Sequence, residues 1–93
     1  MKVTRTIDKY GTIIYMNSNG KYHREDGPAT VHPDGAMLWL QDDKLHRADG
    51  PAVVDPDGAM IWYQNDKLHR TDGPAIVYPN GDVEYWENGE WAQ

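Results

Sequence analysis

The sequence predicts an all-β fold built by repetition, and three observations carry the prediction. Near-identical segments recur at a fixed interval. HREDGPATVHPDG (23–35), HRADGPAVVDPDG (46–58) and HRTDGPAIVYPNG (69–81) start 23 residues apart, and 36–58 matches 59–81 at 16 of 23 positions. The apolar runs are short, and most of them follow a glycine. Nine Gly and six Pro punctuate the 93 residues, and no stretch carries a 3.6-residue apolar period.

The period divides one domain, 1–93, into a lead-in (1–11), units at 12–35, 36–58 and 59–81, and a closing half unit (82–93). The first unit has one extra residue near Ser18. In the lead-in, Val3, Arg5 and Ile7 alternate with Thr4, Thr6 and Asp8, and Ile7 falls in register with Val31, Val54 and Val77. That pattern predicts an opening strand capping one end of a sheet. TIIYM (12–16), AMLWL (36–40), AMIWY (59–63) and DVEYW (82–86) predict the first strand of each unit. Asn65-Asp66 and Asn88-Gly89 then suit tight hairpin turns, and Asn19-Gly20 a longer one. Short return strands follow at Lys21–His23, Lys44–His46 and Lys67–His69. Arg-x-Asp-Gly-Pro breaks the chain, and Ala-x-Val forms the third strand. Pro-Asp-Gly or Pro-Asn-Gly closes the unit with residue types that accept positive φ. Three strands per unit make a meander. Glu84-Tyr85-Trp86 and Gly89-Glu90-Trp91 read as the closing cap.

Composition excludes several classes. With 15 acidic residues against 9 basic, the net charge is −6, which argues against binding to nucleic acid or anionic lipid. No Cys is present, so disulfide frameworks, thiolate metal sites and cysteine nucleophiles are excluded. No apolar run reaches the roughly 18 residues of a membrane span. The start, MKVTRTIDKYG, has no signal-peptide core, so a cytoplasmic location is expected.

Residues 11–93 resemble a MORN repeat array in variant form. The likeness rests on Asn19-Gly20-Lys21-x-His23, Lys67-x-His69 and Tyr78-Pro79-Asn80-Gly81. His-Arg-x-Asp-Gly-Pro-Ala stands where the usual unit has His-Gly-x-Gly, as in repeats of bacterial, phage and giant-virus proteins. The resemblance implies an elongated, twisted antiparallel sheet of hairpins. It also implies scaffolding and protein–protein contact, with lipid binding for some members.

Two residue sets are candidates for function. The first recurs: His23-Arg24, His46-Arg47 and His69-Arg70, each followed by Asp26, Asp49 or Asp72. Its functional reading is capture of a phosphorylated ligand such as a nucleotide, with Arg forking the phosphate. Its structural reading is an Arg–Asp pair that clips a loop to the neighbouring unit, with His bonding backbone; features common to all units favour this role. Equivalent His residues separated by three strands of about 4.8 Å would lie on the order of 14 Å apart, so no metal site is expected.

The second set varies between units. Period-2 alternation places Met37, Trp39, Met60, Trp62, Val83 and Tyr85 on one, packed face. The other face carries Leu38, Leu40, Ile61, Tyr63, Tyr78 and Trp86, apolar yet different in each unit, and these are the expected partner-binding residues. No Ser or Cys stands in a nucleophile context, and Asp34, Asp57 and Asn80 share one turn slot, so no enzyme and no cofactor are expected. The expectation is a non-catalytic protein-binding module, in the setting of a phage-encoded inhibitor of a host defence protein acting in the host cytoplasm. Self-association as a homodimer or larger homo-oligomer is expected too, and a purely structural scaffold is the further alternative.

Overall fold

The computed structural model describes residues 2–92 and is all-β, with no helix among the described residues. The strands are β1 (Val3–Ile7), β2 (Ile13–Asn17), β3 (Thr30–Val31), β4 (Met37–Leu38), β5 (Leu40–Gln41), β6 (Lys44–Leu45), β7 (Val53–Val54), β8 (Met60–Ile61), β9 (Tyr63–Gln64), β10 (Lys67–Leu68), β11 (Ile76–Val77), β12 (Val83–Glu84), β13 (Trp86–Glu87) and β14 (Glu90–Trp91). Eight of them form one antiparallel sheet in the order β1-β2-β3-β4-β7-β8-β11-β12. The other six form three two-stranded hairpins, β5–β6, β9–β10 and β13–β14. The lead-in strand β1 and the late strand β12 lie at opposite edges of the sheet, while the expected closing cap, 84–86 with 89–91, falls mainly on the separate hairpin β13–β14.

The expected first strands are not continuous. AMLWL, AMIWY and DVEYW each break at their aromatic residue: Trp39, Trp62 and Tyr85. The hydrogen bonds give the reason. Trp39 donates its N–H to the Ala52 carbonyl at 2.7 Å, while its own carbonyl accepts from His46 N–H at 3.0 Å. Trp62 does the same with Ala75 and His69. At this residue the chain passes from the large sheet to its own hairpin. TIIYM runs unbroken into Asn17 because β1 pairs along its whole length, from Ile7↔Ile13 to Val3↔Asn17.

Turn chemistry follows the sequence closely. Asn65 and Asp66 have φ of 51° and 67°, and Asn88 and Gly89 have 53° and 81°, the conformation that matches the twist of a two-residue hairpin. Asp42-Asp43 adopts it as well. The first unit instead bridges Asn17 to Lys21 through a longer loop with Gly20 at φ 77°, which accommodates the extra residue. At the Pro-Asp-Gly turns the positive φ falls on the glycine: 98° at Gly35 and 97° at Gly58.

Register aligns Ile7, Ile13, Val31, Met37, Val54, Met60, Val77 and Val83 in one row across the large sheet. Thr30, Leu38, Val53, Ile61, Ile76 and Glu84 form the adjacent row on the opposite face. The sequence assigns the Val/Met row to a packed face, but most residues of both rows are only half-buried. Among the described residues the buried apolar ones are Ala29, Ala52, Ala59, Ala75 and Leu40, and no large side chain is fully buried. Cohesion rests heavily on backbone pairing and on close approach at alanine. Ala29, Ala52 and Ala75 are inaccessible, each donating to one neighbouring strand and accepting from the other.

Candidate functional site: recurring arginine loops and a variable aromatic strip

Each Arg of the repeated loops lies over an aromatic ring of its own unit. The guanidinium carbon is 4.0 Å from the ring centroid for Arg24 over Tyr15, Arg47 over Trp39 and Arg70 over Trp62. The same groups then close the loop. Arg24 Nε donates to Asp26 at 2.9 Å and Nη1 to the Pro28 carbonyl at 3.3 Å. Arg47 and Arg70 repeat both bonds with Asp49 and Pro51, and with Asp72 and Pro74. The hydrogen bond from Arg24, followed by its charge, holds the Asp26 carboxyl below the usual aspartate range. The loop glycines are explained by this guanidinium. A Cβ at Gly50 or Gly73 would come within 2.7 Å of the Arg Cζ, and at Gly27 within 2.8 Å.

The Arg–Asp pair is therefore a clip within one unit, two residues apart, and not a clasp on the neighbouring unit. Other groups make the joint between units. Arg24, Arg47 and Arg70 donate their backbone N–H to the carbonyls of Leu40, Tyr63 and Trp86. His23, His46 and His69 accept through Nδ1 from the backbone N–H of Asp42, Asn65 and Asn88, at 3.0–3.2 Å. Asp43 and Asp66 complete the joint by bonding the N–H and the carbonyl of Tyr22 and Leu45.

Grooves lie between successive loops. One of about 580 Å³ runs between Arg24–Pro28 and Trp39, His46 and Arg47. Another, of about 370 Å³, lies one unit on, beside Trp62, His69 and Arg70. A phosphate here would meet guanidiniums whose Nε and Nη1 are already engaged, and nearby carboxylates of Asp26 and Asp49. Among the described residues no group of three His, Asp or Glu stands together as a metal site. Among the described residues no helix is long and apolar enough to cross a membrane.

The variable strip is divided in two. Leu40 is buried at 7 % exposure, so it packs within the fold and offers no free surface. Leu38, Ile61, Tyr63 and Trp86 are half-buried and Tyr78 is exposed. At the C-terminal end three side chains are joined. Glu84 accepts from Trp86 Nε1 at 2.9 Å through one carboxylate oxygen and from the Tyr78 hydroxyl at 2.8 Å through the other. Those two bonds, Trp86 first, hold the Glu84 carboxyl below the usual glutamate range. The bond to Glu84 raises the Tyr78 hydroxyl above the usual tyrosine range. Both aromatic anchors are thereby fixed in position.

Sequence reasoning missed the Arg–aromatic stack and its demand for glycine. The signal was present: Trp39 and Trp62 precede Arg47 and Arg70 by the same interval, and Tyr15 precedes Arg24 by one residue more. It also missed the Tyr78–Glu84–Trp86 cluster, which carries no repeated pattern. No family model, no curated protein and no solved structure matches this chain.

Proposed function

We propose that the chain is a variant MORN-type repeat protein, an elongated, twisted meander of hairpins, that serves as a non-catalytic protein-binding module. Its 23-residue sequence period, the three equivalent Arg–aromatic stacks and principal dimensions of 39 × 26 × 17 Å support the architectural half of this reading. The observation that carries the binding half is the contrast in the strip. Its residues differ from unit to unit, remain partly open apart from buried Leu40, and include two aromatic anchors held by Glu84. Tyr and Trp that keep contact area while losing little side-chain freedom are the usual anchors of interfaces.

The setting proposed is a phage-encoded inhibitor of a host defence protein, acting in the host cytoplasm. A surface of net charge −6 would speed association with a basic partner site. Ligand capture by the His-Arg pairs is less well supported, because the guanidinium and Nδ1 donors and acceptors are engaged internally. The test is affinity capture from bacterial lysate with the wild type and with Tyr63→Ser/Tyr78→Ser/Trp86→Ser. A stoichiometric protein held by the first and lost from the second, with both folded, is the expected result. Equal capture by both would remove the strip from the interface.

A further inference from the structure

The two ends of the sheet are unlike, and they are complementary. Residues 2–11 carry Lys2, Arg5 and Lys9 against Asp8, a net of +2. Residues 82–92 carry Asp82, Glu84, Glu87 and Glu90 and no base, a net of −4. Exposed apolar side chains also gather there: Ile7 and Tyr10 at one end, Val83, Tyr85 and Trp91 at the other. Of the large apolar residues exposed elsewhere among the described residues, there are only Tyr22 and Tyr78.

Among the described residues, the C-terminal edge of the sheet presents backbone groups that make joints elsewhere in the chain. Tyr15, Trp39 and Trp62 each donate N–H to the next strand and lie under an Arg. Tyr85 occupies the same place in the last unit, yet among the described residues nothing accepts its N–H. Leu45 is covered by Asp66 and Leu68 by Gly89, whereas Trp91, their equivalent, stands 71 % exposed.

We infer that this end receives the N-terminal strand end of a second copy, giving head-to-tail association. Three features of the backbone agree. The sheet has eight strands, all paired antiparallel, so β1 of a following copy has the direction that β12 needs. Ile7 pairs with Ile13 as Val77 pairs with Val83, so Ile7 can continue the apolar row beside Val83. The free edge is limited to Val83–Tyr85, since Trp86 and Glu87 already pair with Trp91 and Glu90. The match is therefore to Arg5–Ile7, with Arg5 brought to Tyr85 and Lys2 carried toward Glu87 and Glu90. Such a contact uses different surfaces on the two copies and can propagate into rings or filaments, unlike a closed two-fold dimer. It does not depend on the partner-binding reading.

The test uses the purified chain alone. Light scattering at about 1 mM protein and low salt should give a mass that rises with concentration. It should fall toward the monomer in about 1 M salt, where charges are screened beyond roughly 3 Å. Lys2→Glu/Arg5→Glu and Glu87→Lys/Glu90→Lys should each be monomeric: the first sets a net −2 against −4, and the second brings the acidic end from −4 to 0 and places its two new bases against Lys2. Mixing the two variants should restore association. If either fails to fold, carbodiimide coupling of the wild type should link Lys2 or Lys9 to Glu87 or Glu90 between copies. A monomeric wild type, association unchanged in both variants, a mixture that stays monomeric, or couplings confined to one copy would overturn the proposal.

Discussion

The repeated loops and the variable strip use their polar groups in opposite ways. In the loops, each guanidinium is spent on a ring, a carboxylate and a carbonyl of its own unit, and each His ring on the next hairpin. In the strip, the only side-chain hydrogen bonds among the described residues are those that hold Tyr78 and Trp86 on Glu84, and the aromatic surfaces stay partly open. Residues common to every unit solve a problem every unit has, which is docking on its neighbour without a sealed core. Residues that differ are released from that duty. On the function proposed above, recurrence within one chain separates architecture from recognition.

The sharpest way to break this contrast is to remove a loop arginine. Arg47→Ala loses the stack on Trp39 and the bond to Pro51, and should cost about 2–3 kcal/mol of stability in denaturant melts. A loss below about 0.5 kcal/mol would mean that the stack is incidental. Gly50→Ala attacks the same feature from the other side. Its Cβ would meet Arg47 at 2.7 Å, and the guanidinium must leave its ring, with an expected cost of about 1–3 kcal/mol. Trp86→Ser in the strip should cost only about 1 kcal/mol, because the side chain is half-exposed, while abolishing partner capture. Asp49→Asn should be the mildest change. Its carboxylate is 89 % exposed, and the melting temperature should move by no more than about 2 °C.

Acid sharpens the contrast within the strip. The Glu84 carboxyl is depressed in the folded chain, so the bonds it makes are fully present above the usual glutamate range. They weaken as pH falls through the folded value. Trp86 fluorescence should therefore shift on acidification below that range, and Glu84→Gln, which keeps one acceptor oxygen, should flatten the response. A shift of equal size in the Gln variant would assign it elsewhere.

Much of the fold was legible because turn chemistry is local. Asn65-Asp66, Asn88-Gly89 and the Pro-Asp-Gly glycines declare their φ in their residue types. The place of Ile7 in the Val row followed from the unit spacing, and the structure puts it there. What alternation does not reveal is a change of partner within a strand. Trp39 and Trp62 look like ordinary strand residues, yet their two backbone groups bond to different elements. For that reason Leu40, one residue further on, is buried although counting places it on the open face. The His-to-backbone bonds were foreseen in kind, but their target, the turn of the next hairpin, is a three-dimensional fact. The Tyr78–Glu84–Trp86 cluster lies beyond period counting, since Tyr78 sits at a turn and the other two on separate strands.

The most direct test of the division between loops and strip is amide hydrogen exchange on the chain alone and in complex with a protein recovered in the lysate capture. Binding should slow exchange at 61–64, 76–78 and 84–86 and leave 24–28, 47–51 and 70–74 unchanged. Protection confined to the three arginine loops would contradict the account and return the recurring residues to the centre of function.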